Sequence, residues 1–280
     1  MTDTLDPSYN AKIHPDGLQM HLGIRPGDIP ATVLMPGDPF RVPVIGEAWD
    51  TYEELAFKRE FKSARGTLDG VEIGACSHGV GGPSTDIAMV ELANCGVDTF
   101  IRVGTCAALQ PEIDAGDLII STGALRLTGT ADAYIDKYYP AVASHEIVMA
   151  MVEACEELGV PYHLGLSASV DSFYAGECNP MPGGYRQAKM DSVVDDLVRA
   201  RVANFEMEAA TMFTLAGLFG YRAGMICATA VNRTTGARAD KDEAIKRCCA
   251  VASRAVVILS GWDKIKKEQG KKTFFPSLVK

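Results

Sequence analysis

Short apolar runs alternate with helix-like stretches along most of the chain, and this alternation limits the folds that are open to it. Apolar runs typical of buried strands lie at 31–35, 99–103, 118–126, 163–169 and 222–231. Stretches with helical patterning lie at 40–48, 83–95, 145–158, 189–200, 207–219 and 240–267. Strands that alternate with helices predict an α/β fold, here a three-layer α/β/α sandwich.

One strong turn signal, Asp69-Gly70, separates two further strand candidates at 61–64 and 71–77. An Asp-Gly pair between such runs is typical of a β-hairpin, so the central sheet is predicted to be mixed. Without internal repeats or a low-complexity linker, residues 1–280 are expected to form a single domain. Residues 1–30, rich in proline and glycine, predict an irregular N-terminal arm, and residues 268–280 a basic tail.

Composition excludes several classes of function. The formal net charge of −9 disfavours a general nucleic-acid binder or a membrane-surface protein. The eight cysteines form no C-x-x-C pair, which favours buried free thiols in a reducing compartment. The polar N-terminus does not resemble a signal peptide, and no apolar run approaches the ~20 residues that a bilayer requires. We therefore expect a cytoplasmic protein.

A turn between the first strand and the first helix, at 35–41, has the features of an anion site. Gly37 leaves its N–H open to close approach, a helix N-terminus favours negative charge, and Arg41 adds a cationic fork. Asp38 is predicted as the N-cap and Pro39 as the first helical residue. Ordinary helix capping explains this segment equally well.

An arginine inside an apolar strand is the second candidate. Arg102 lies within Phe100–Thr105, and a buried arginine is costly unless it is paired or binds an anion. A structural salt bridge is the competing explanation. Because the carboxyl ends of strands gather ligands in open α/β sheets, Gly37, Gly104, Asp171 and Arg233 are all expected near such ends.

The loop Gly79–Gly82 superficially suggests a dinucleotide site. Pro83 and Ser84 break the G-x-G-x-x-G pattern, so no nicotinamide cofactor is expected. Further along, Glu208 stands at a helix start, where a carboxylate is commonly explained by the helix dipole but is also suited to hold a sugar diol. Phe173 is a candidate for stacking on a flat ring, although core packing is the more common role for a lone phenylalanine.

Taken in order, these segments resemble the uridine phosphorylase branch of the hexameric nucleoside phosphorylases. The resemblance runs from about His21 to about Leu259. Its motifs are His21-Leu22-Gly23, Pro36-Gly37-Asp38-Pro39, Arg59-Glu60-Phe61, Gly79–Thr85, Arg102-Val103-Gly104-Thr105, Ser172-Phe173-Tyr174, Phe205–Glu208 and Val231-Asn232-Arg233-Thr234. Each motif is weak alone, whereas the set in this order and spacing is specific.

The resemblance implies an enzyme of nucleoside catabolism and pyrimidine salvage, which splits uridine with inorganic phosphate and needs no other cofactor. It implies phosphate binding by Gly37, Arg41, Arg102 and Thr105, with Arg59 from a neighbouring subunit. It implies ribose binding by Thr105, Glu206, Met207 and Glu208, with His21 from the neighbour. It implies a base pocket of Phe173, Glu177, Asn179 and Arg233, and catalytic roles for Arg41, Arg102, Glu208 and Arg233.

Sites that depend on two subunits imply a homo-oligomer, a dimer within a hexamer. The resemblance also implies a monovalent cation, K⁺, between subunits near Glu60, Val80 and Ser84. Two other classes remain open: a nucleosidase, which uses water, and a non-catalytic nucleoside-binding protein. Neither needs the three arginines Arg41, Arg59 and Arg102 together, so both are disfavoured.

The base loop departs from the uridine phosphorylase pattern, with Glu177 and Asn179 where a glutamine and an arginine are usual. Cys106 and Ala107 depart from it as well. An ionised glutamate only accepts hydrogen bonds, which suits the adjacent N1–H and N2–H₂ donors of guanine better than uracil. Arg233 is expected to pair with Glu177, and Arg186 to fold back in place of the missing arginine. Uridine is the first expectation and a purine nucleoside, guanosine or inosine, the second.

Overall fold

A computed structural model describes residues 16–279. Its described part contains the strands β1 (Thr32–Met35), β2 (Thr51–Lys58), β3 (Phe61–Leu68), β4 (Val71–Cys76), β5 (Thr99–Ala108), β6 (Leu118–Leu127), β7 (Ala141–Val142), β8 (Tyr162–Val170), β9 (Val202–Glu206) and β10 (Arg222–Asn232). The helices are α1 (Arg41–Gly46), α2 (Gly82–Asn94), α3 (His145–Leu158), α4 (Val193–Arg199), α5 (Ala209–Phe219) and α6 (Lys241–Glu268). Short 3₁₀ turns lie at Ala131–Ala133, Pro182–Gly184, Ala188–Asp191 and Pro276–Val279.

The strands form one mixed sheet in the order β10-β6-β8-β9-β5-β1-β4-β3-β2, with β7 paired to β6. The predicted mixed α/β architecture is therefore confirmed. The sheet also curls, because β10 pairs with β5 as well as with β6. Strands β5, β10, β6, β8 and β9 thus close into a ring, a feature that the sequence did not predict.

Strand β5 lies where the order of the strands in the sheet changes, and it pairs with three other strands. Its whole length pairs with β10 on one edge, while its other edge pairs first with β1, up to Arg102, and then with β9 from Ala107. Between these two pairings, none of the described strands covers 103–106 on that edge. The sheet opens there, and ligands in α/β proteins bind at such switch points.

The predicted hairpin is confirmed and its turn is tight. Strands β3 and β4 pair from Ser63↔Cys76 to Leu68↔Val71, which leaves Asp69 and Gly70 as the two-residue loop. Both residues have positive φ, 51° and 76°, as a type I′ turn requires. Strand β2 extends this antiparallel unit along the edge of β3.

Helices cover the sheet in two groups, as the sandwich predicts. Helices α1, α3 and α6 pack together, with α6 lying over β5 and β10, while α2 and α5 pack on each other and α5 covers β6 and β10. Helix α6 begins where Asp240 accepts hydrogen bonds from the main chain of Asp242 and Glu243. All eight cysteines are free and buried, as expected.

Several boundaries differ from the sequence prediction. Helix α1 begins at Arg41, and Asp38 instead accepts a hydrogen bond from the main-chain N–H of Phe40 at 2.9 Å, so Asp38 and Pro39 precede the helix. Strand β5 continues to Ala108, which puts Gly104 and Thr105 inside it. Strands β2, β7 and β9 were not predicted. Their pairing partners are distant in sequence, and β2 is largely exposed, so the local pattern is weak.

The structure describes the second half of the N-terminal arm and nearly all of the basic tail. Residues 16–31 lack helices and strands, as expected of the arm, and residues 1–15 lie outside the described range. The basic tail is anchored, since Phe274 stacks on Trp262 with ring centroids 3.9 Å apart. Lys266, in the last turn of α6, is buried and paired with Glu146. No helix within 16–279 is both long and apolar enough to cross a bilayer.

Candidate active site

A cavity of about 970 Å³ opens beside the uncovered part of β5. Residues from the ends of β1, β8, β9 and β10 reach it, as the switch point predicts. The predicted site residues in its wall are Gly37, Arg41, Glu60, Val80, Ser84, Arg102, Thr105, Phe173, Glu177, Asn179, Glu206, Met207, Glu208 and Arg233. Predictions made from separate motifs, up to 196 positions apart in the chain, thus converge on one cavity.

Gly37 lies where two main-chain segments meet. A Cβ atom at this position would lie 2.9 Å from the carbonyl oxygen of Gly79. Only glycine therefore allows the turn after β1 to approach the 79–82 loop so closely. The approach leaves the predicted anion turn and the glycine-rich loop as adjoining parts of the cavity wall.

Arg102 is buried in β5 and holds together several parts of the site. Its Nε donates to Glu206 at 3.2 Å, its Nη1 lies 3.0 Å from Nε2 of His78, and its Nη2 forms an ion pair with Glu208. Burial lowers the pKa of Arg102, but the carboxylates, Glu208 above all, outweigh this effect and raise its pKa above the usual value. The salt-bridge explanation of Arg102 is therefore confirmed, while anion binding by this residue, which also lines the cavity, stays a prediction.

Arg41 contributes a second positive charge without a neutralising partner. Its Nη1 donates to the carbonyl oxygen of Val103 at 3.3 Å. Within residues 16–279, no carboxylate lies within ion-pairing distance of its guanidinium. A buried guanidinium that lines a cavity and lacks a counter-ion is suited to receive an anionic ligand.

Glu206 and Glu208 differ in how many hydrogen bonds their carboxylates accept from the protein itself. Glu206 accepts hydrogen bonds from the main-chain N–H groups of Glu208 and Ala209, both at 2.9 Å, besides the bonds from Arg102 and the hydroxyl of Ser169. It therefore stabilises the start of α5. Glu208 accepts from the N–H of Gly81 at 2.6 Å and pairs with Arg102, which leaves lone pairs for a ligand.

The far end of the cavity carries the predicted base residues. Phe173 is 52% exposed and packs edge-on against Tyr174, so the core-packing explanation does not apply. Glu177 is only 5% exposed, and burial raises its pKa to about 7, although the hydrogen bond from Asn179 and the charge of Arg233 oppose the shift. This carboxyl is poised between its donor and acceptor forms near neutral pH.

The two arginines that were expected to compensate for Glu177 act differently from prediction. Arg233 donates to the main-chain carbonyl of Glu177 at 3.0 Å and to Oδ1 of Asn179 at 3.1 Å, rather than pairing with the Glu177 carboxylate. It therefore fixes the loop. Arg186 pairs with Asp191 at the surface and donates to the carbonyl of Met190, so it does not replace the missing arginine. Arg186 lies close to Asn179 in the sequence, and this proximity did not indicate its actual partners.

His21 and Arg59, both predicted to serve a neighbouring subunit, lie outside the cavity of their own chain. Arg59 is exposed in the turn between β2 and β3, next to Glu60, and has a φ of 56°. Nδ1 of His21 lies 2.6 Å from a carboxylate oxygen of Glu91, which also accepts from the main-chain N–H groups of His21 and Leu22. Their roles stay predictions.

Three side chains near the cavity were not singled out from the sequence. His78 is completely buried and contacts Arg102. Arg238 and Lys241 follow β10, are exposed and line the cavity. The signal available for His78 was its place directly before the glycine-rich loop, but nothing in the local sequence indicates its partner in β5.

The comparisons with known proteins agree with this geometry. Residues 31–260 match the family model described as the phosphorylase superfamily. The chain is 49% identical over 263 residues to a uridine phosphorylase of Thermococcus kodakarensis, which covers 94% of each chain. It is 41% identical over 217 residues to a uridine phosphorylase of Escherichia coli, with 76% of this chain and 86% of the relative covered.

A third relative differs in its named substrate. The chain is 38% identical over 227 residues to a guanosine phosphorylase of Halorubrum lacusprofundi, covering 80% of this chain and 89% of the relative. The family match covers well over half of the chain, and the relatives align along most of their own lengths. The motifs that suggested the resemblance also line one cavity. The chain therefore belongs to the phosphorylase superfamily.

Proposed function

We propose that this chain is a nucleoside phosphorylase that splits uridine with inorganic phosphate, giving uracil and ribose 1-phosphate. One observation carries the proposal: two buried guanidiniums, of Arg41 and Arg102, share a cavity wall with the carboxylate of Glu208. Positive charge for an oxyanion and an acceptor for sugar hydroxyls are the two features that this reaction needs side by side. The uridine phosphorylase relatives support the choice of substrate.

The reaction forms a bond between a phosphate oxygen and the anomeric carbon and breaks the bond from that carbon to the base nitrogen. Arg41 and Arg102, with the main chain at Gly37 and the hydroxyl of Thr105, hold phosphate against the sugar, which is catalysis by positioning and charge. Glu208 accepts hydrogen bonds from the ribose hydroxyls. Negative charge from phosphate stabilises the oxocarbenium character that develops as the base departs.

The direct test is release of free base from uridine, thymidine, inosine, guanosine and adenosine, each with and without phosphate. We expect release from uridine that requires phosphate. Release that is equally fast without phosphate would identify a nucleosidase instead. No release from any nucleoside in the presence of phosphate would overturn the proposal.

A second candidate, guanosine or inosine phosphorolysis, is favoured by Glu177. A buried carboxylate that accepts two hydrogen bonds matches the N1–H and N2–H₂ edge of guanine, and each charged hydrogen bond is worth about 1.5–3 kcal/mol. The relative named as a guanosine phosphorylase supports this candidate. In the nucleoside panel, a lead for guanosine or inosine over uridine would select this candidate.

The Arg41→Ala variant separates an enzyme from a non-catalytic nucleoside binder. A phosphorylase should lose kcat/KM for phosphate by about 10–100-fold, because a charged donor to the phosphate is gone. A binder needs no phosphate, and Arg41 pairs with no carboxylate in the described structure, so a binder's affinity for nucleoside should be unchanged. The matched control is Arg199→Ala, which removes an exposed arginine outside the cavity wall.

We further propose that the active sites are shared between subunits of a homodimer within a hexamer. Arg59 and His21 lie outside their own cavity, and Phe57, two positions before Arg59 in the chain, packs its exposed ring edge-on against the exposed ring of Phe40. Mixing Arg59→Ala subunits with Arg102→Ala subunits provides the test. If each site takes Arg59 from its neighbour, random mixed dimers regain about one quarter of the wild-type sites. Sites built within one subunit would regain no activity on mixing.

A monovalent cation at this boundary is a further part of the proposal. The hydroxyl of Ser84 donates to the carboxylate of Glu60 at 2.9 Å, beside Val80, so oxygen ligands of the kind that hard cations take lie together there. The neighbouring subunit would supply the others. A bound K⁺ would hold the subunits at the distance that their shared site requires. Replacing KCl by choline chloride at constant ionic strength should then lower oligomer stability, with Ser84→Ala as the variant that removes the effect.

A further inference from the structure

His78 is a completely buried histidine whose side chain contacts Arg102 in the cavity wall. It follows β4, and its main-chain N–H donates to the carbonyl of Pro36 at 2.9 Å, which ties it to the turn after β1. Burial lowers the pKa of His78 well below its usual value, and the charges of Arg102 and Arg41 lower it further. The imidazole of His78 is therefore neutral, with one nitrogen that carries a proton and one that carries a free lone pair.

The neighbours of His78 settle which nitrogen carries the proton. Nε2 lies 3.0 Å from Nη1 of Arg102, and because a guanidinium only donates, Nε2 must accept. Nδ1 lies 3.2 Å from the hydroxyl of Thr85, whose own proton is donated to the carbonyl of Gly81 at 3.0 Å. Nδ1 therefore donates to Thr85.

These bonds continue through Gly81 and return to Arg102. The N–H of Gly81 donates to Glu208 at 2.6 Å, and Glu208 pairs with Arg102. The complete ring is Arg102, His78, Thr85, Gly81 and Glu208. Gly81 contributes its carbonyl and its N–H from two successive peptide groups, so its backbone links Thr85 to Glu208 and the ring fixes the relative positions of its members.

The ring joins two parts of the site that bind different molecules. Arg102 faces the proposed phosphate and Glu208 the proposed sugar. We propose that His78 is a positioning residue that sets the orientation of the Arg102 guanidinium and thereby couples phosphate binding to ribose binding. The coupling rests on the proposed function, whereas the orientation of Arg102 can be tested by phosphate alone.

Two substitutions of similar size separate the hydrogen bond from packing. In His78→Gln, the amide oxygen stands near the place of Nε2 and can accept from Arg102. In His78→Leu, the volume is kept and the acceptor is lost. We expect His78→Leu to weaken phosphate binding about 10–100-fold and His78→Gln by less than about 3-fold, since a hydrogen bond to a charged group is at stake.

The measurement is calorimetric titration of the purified oligomer with inorganic phosphate, alone and in the presence of the base-free sugar analogue 1,4-anhydroribitol. In the wild type, the sugar analogue should tighten phosphate binding several-fold, and in His78→Leu this coupling should disappear. Equal phosphate affinity for folded His78→Leu and His78→Gln would overturn the proposal. If the sugar analogue tightens phosphate binding in the wild type but no nucleoside is phosphorolysed, the proposed function alone is wrong.

Thr85→Val keeps the proposal testable if His78→Leu does not fold, which its thermal unfolding midpoint will show. Valine preserves the shape of threonine but removes the acceptor for Nδ1 and the donor to Gly81. We expect phosphate binding weakened about 3–10-fold and the coupling to the sugar reduced. If folded Thr85→Val binds phosphate as tightly as the wild type and keeps the coupling to the sugar analogue, the hydrogen-bonded ring has no such role.

Discussion

The guanidinium of Arg102 occupies the space that a side chain on Gly104 would need. A Cβ atom on Gly104 would lie 2.9 Å from Cζ and from Nη2 of Arg102, and 2.7 Å from Sγ of Cys227. The two residues are neighbours on one face of β5, since side chains two positions apart in a strand point the same way. The absence of a side chain at 104 therefore allows Arg102 to fold back along its own strand.

Gly104→Ala should displace Arg102 and lower kcat/KM for phosphate about 10–100-fold, because misplacement by about 1 Å is enough for such a loss. It should also cost about 1–3 kcal/mol of unfolding free energy through the contact with Cys227. Adding Cys227→Ala should restore part of the stability and leave turnover low. Wild-type turnover in the double variant would show that Arg102 had not moved. Gly261→Ala, on the open side of α6, is the control and should leave kcat/KM unchanged.

Arg41→Ala should raise the KM for phosphate more than it lowers kcat. Arg41 has no carboxylate partner in the described structure, so its removal takes away attraction for the anion without releasing a buried negative charge. A charged hydrogen bond of about 1.5–3 kcal/mol corresponds to a loss of about 10–100-fold in kcat/KM for phosphate. Steady-state kinetics at varied phosphate, with Arg199→Ala as control, measures it. An unchanged KM would place phosphate elsewhere.

The pKa of Glu177, raised to about 7, predicts opposite pH profiles for the two candidate substrates. Below pH 7 the protonated carboxyl both donates and accepts, which complements a carbonyl and the N3–H of uracil. Above pH 7 the carboxylate only accepts, which favours the donor edge of guanine. The ratio of kcat/KM for uridine to that for guanosine should therefore fall as pH rises from 6 to 8.

Glu177→Gln provides the control for this profile, because the amide donates and accepts at every pH. The variant should lose the pH dependence of the substrate ratio and shift preference towards uridine. Kinetics of both substrates at five pH values would measure it. A ratio that stays constant with pH in the wild type would show that Glu177 does not read the base in a proton-dependent way.

Lys266→Met should destabilise the protein by about 3 kcal/mol. Nζ of Lys266 lies 2.5 Å from Oε2 of Glu146 and 2.9 Å from Oδ1 of Asp263, and both Lys266 and Glu146 are buried. Removing the cation leaves the buried carboxylate of Glu146 with only the main-chain N–H of Phe274 and the more distant Arg222, at 3.8 Å, so its closest ion pair is lost. Urea unfolding at one fixed protein concentration measures the loss. Lys267→Met, the exposed neighbour, should change stability by less than about 0.5 kcal/mol, and an equal effect of both would refute the argument.

The sequence was most informative where a signal is local. The Asp69-Gly70 pair specifies its own turn, and the helical patterning of 145–158 matches α3 at both ends. Strand β9 has only five residues and is stabilised by β5 and β8, far away in the chain, so no local pattern identifies it. The ring closed by β10 depends likewise on long-range pairing.

The same distinction applies to the site. Arg102 was recognisable because an arginine in an apolar strand is unusual in itself. His78 was not recognised, since its importance comes from Arg102 and Thr85, which only the fold brings to it. The expected pairing of Arg233 with Glu177 failed for the opposite reason. Its two residues are close, but the main-chain carbonyl of Glu177, rather than its side chain, faces the guanidinium.

The interruption along the edge of β5 has a practical consequence for redesign. Arg102, Thr105 and Glu206, which are proposed to act on phosphate and sugar, lie within strands of the closed ring, so substitutions there also affect the packing of the sheet. The residues proposed to select the base lie on connecting segments after β8 and β10, which are held together by side-chain hydrogen bonds such as those from Arg233 to Glu177 and Asn179. A mutant library confined to 173–186 and 233–238 would therefore sample new nucleobase preferences while the folding of the scaffold stays intact.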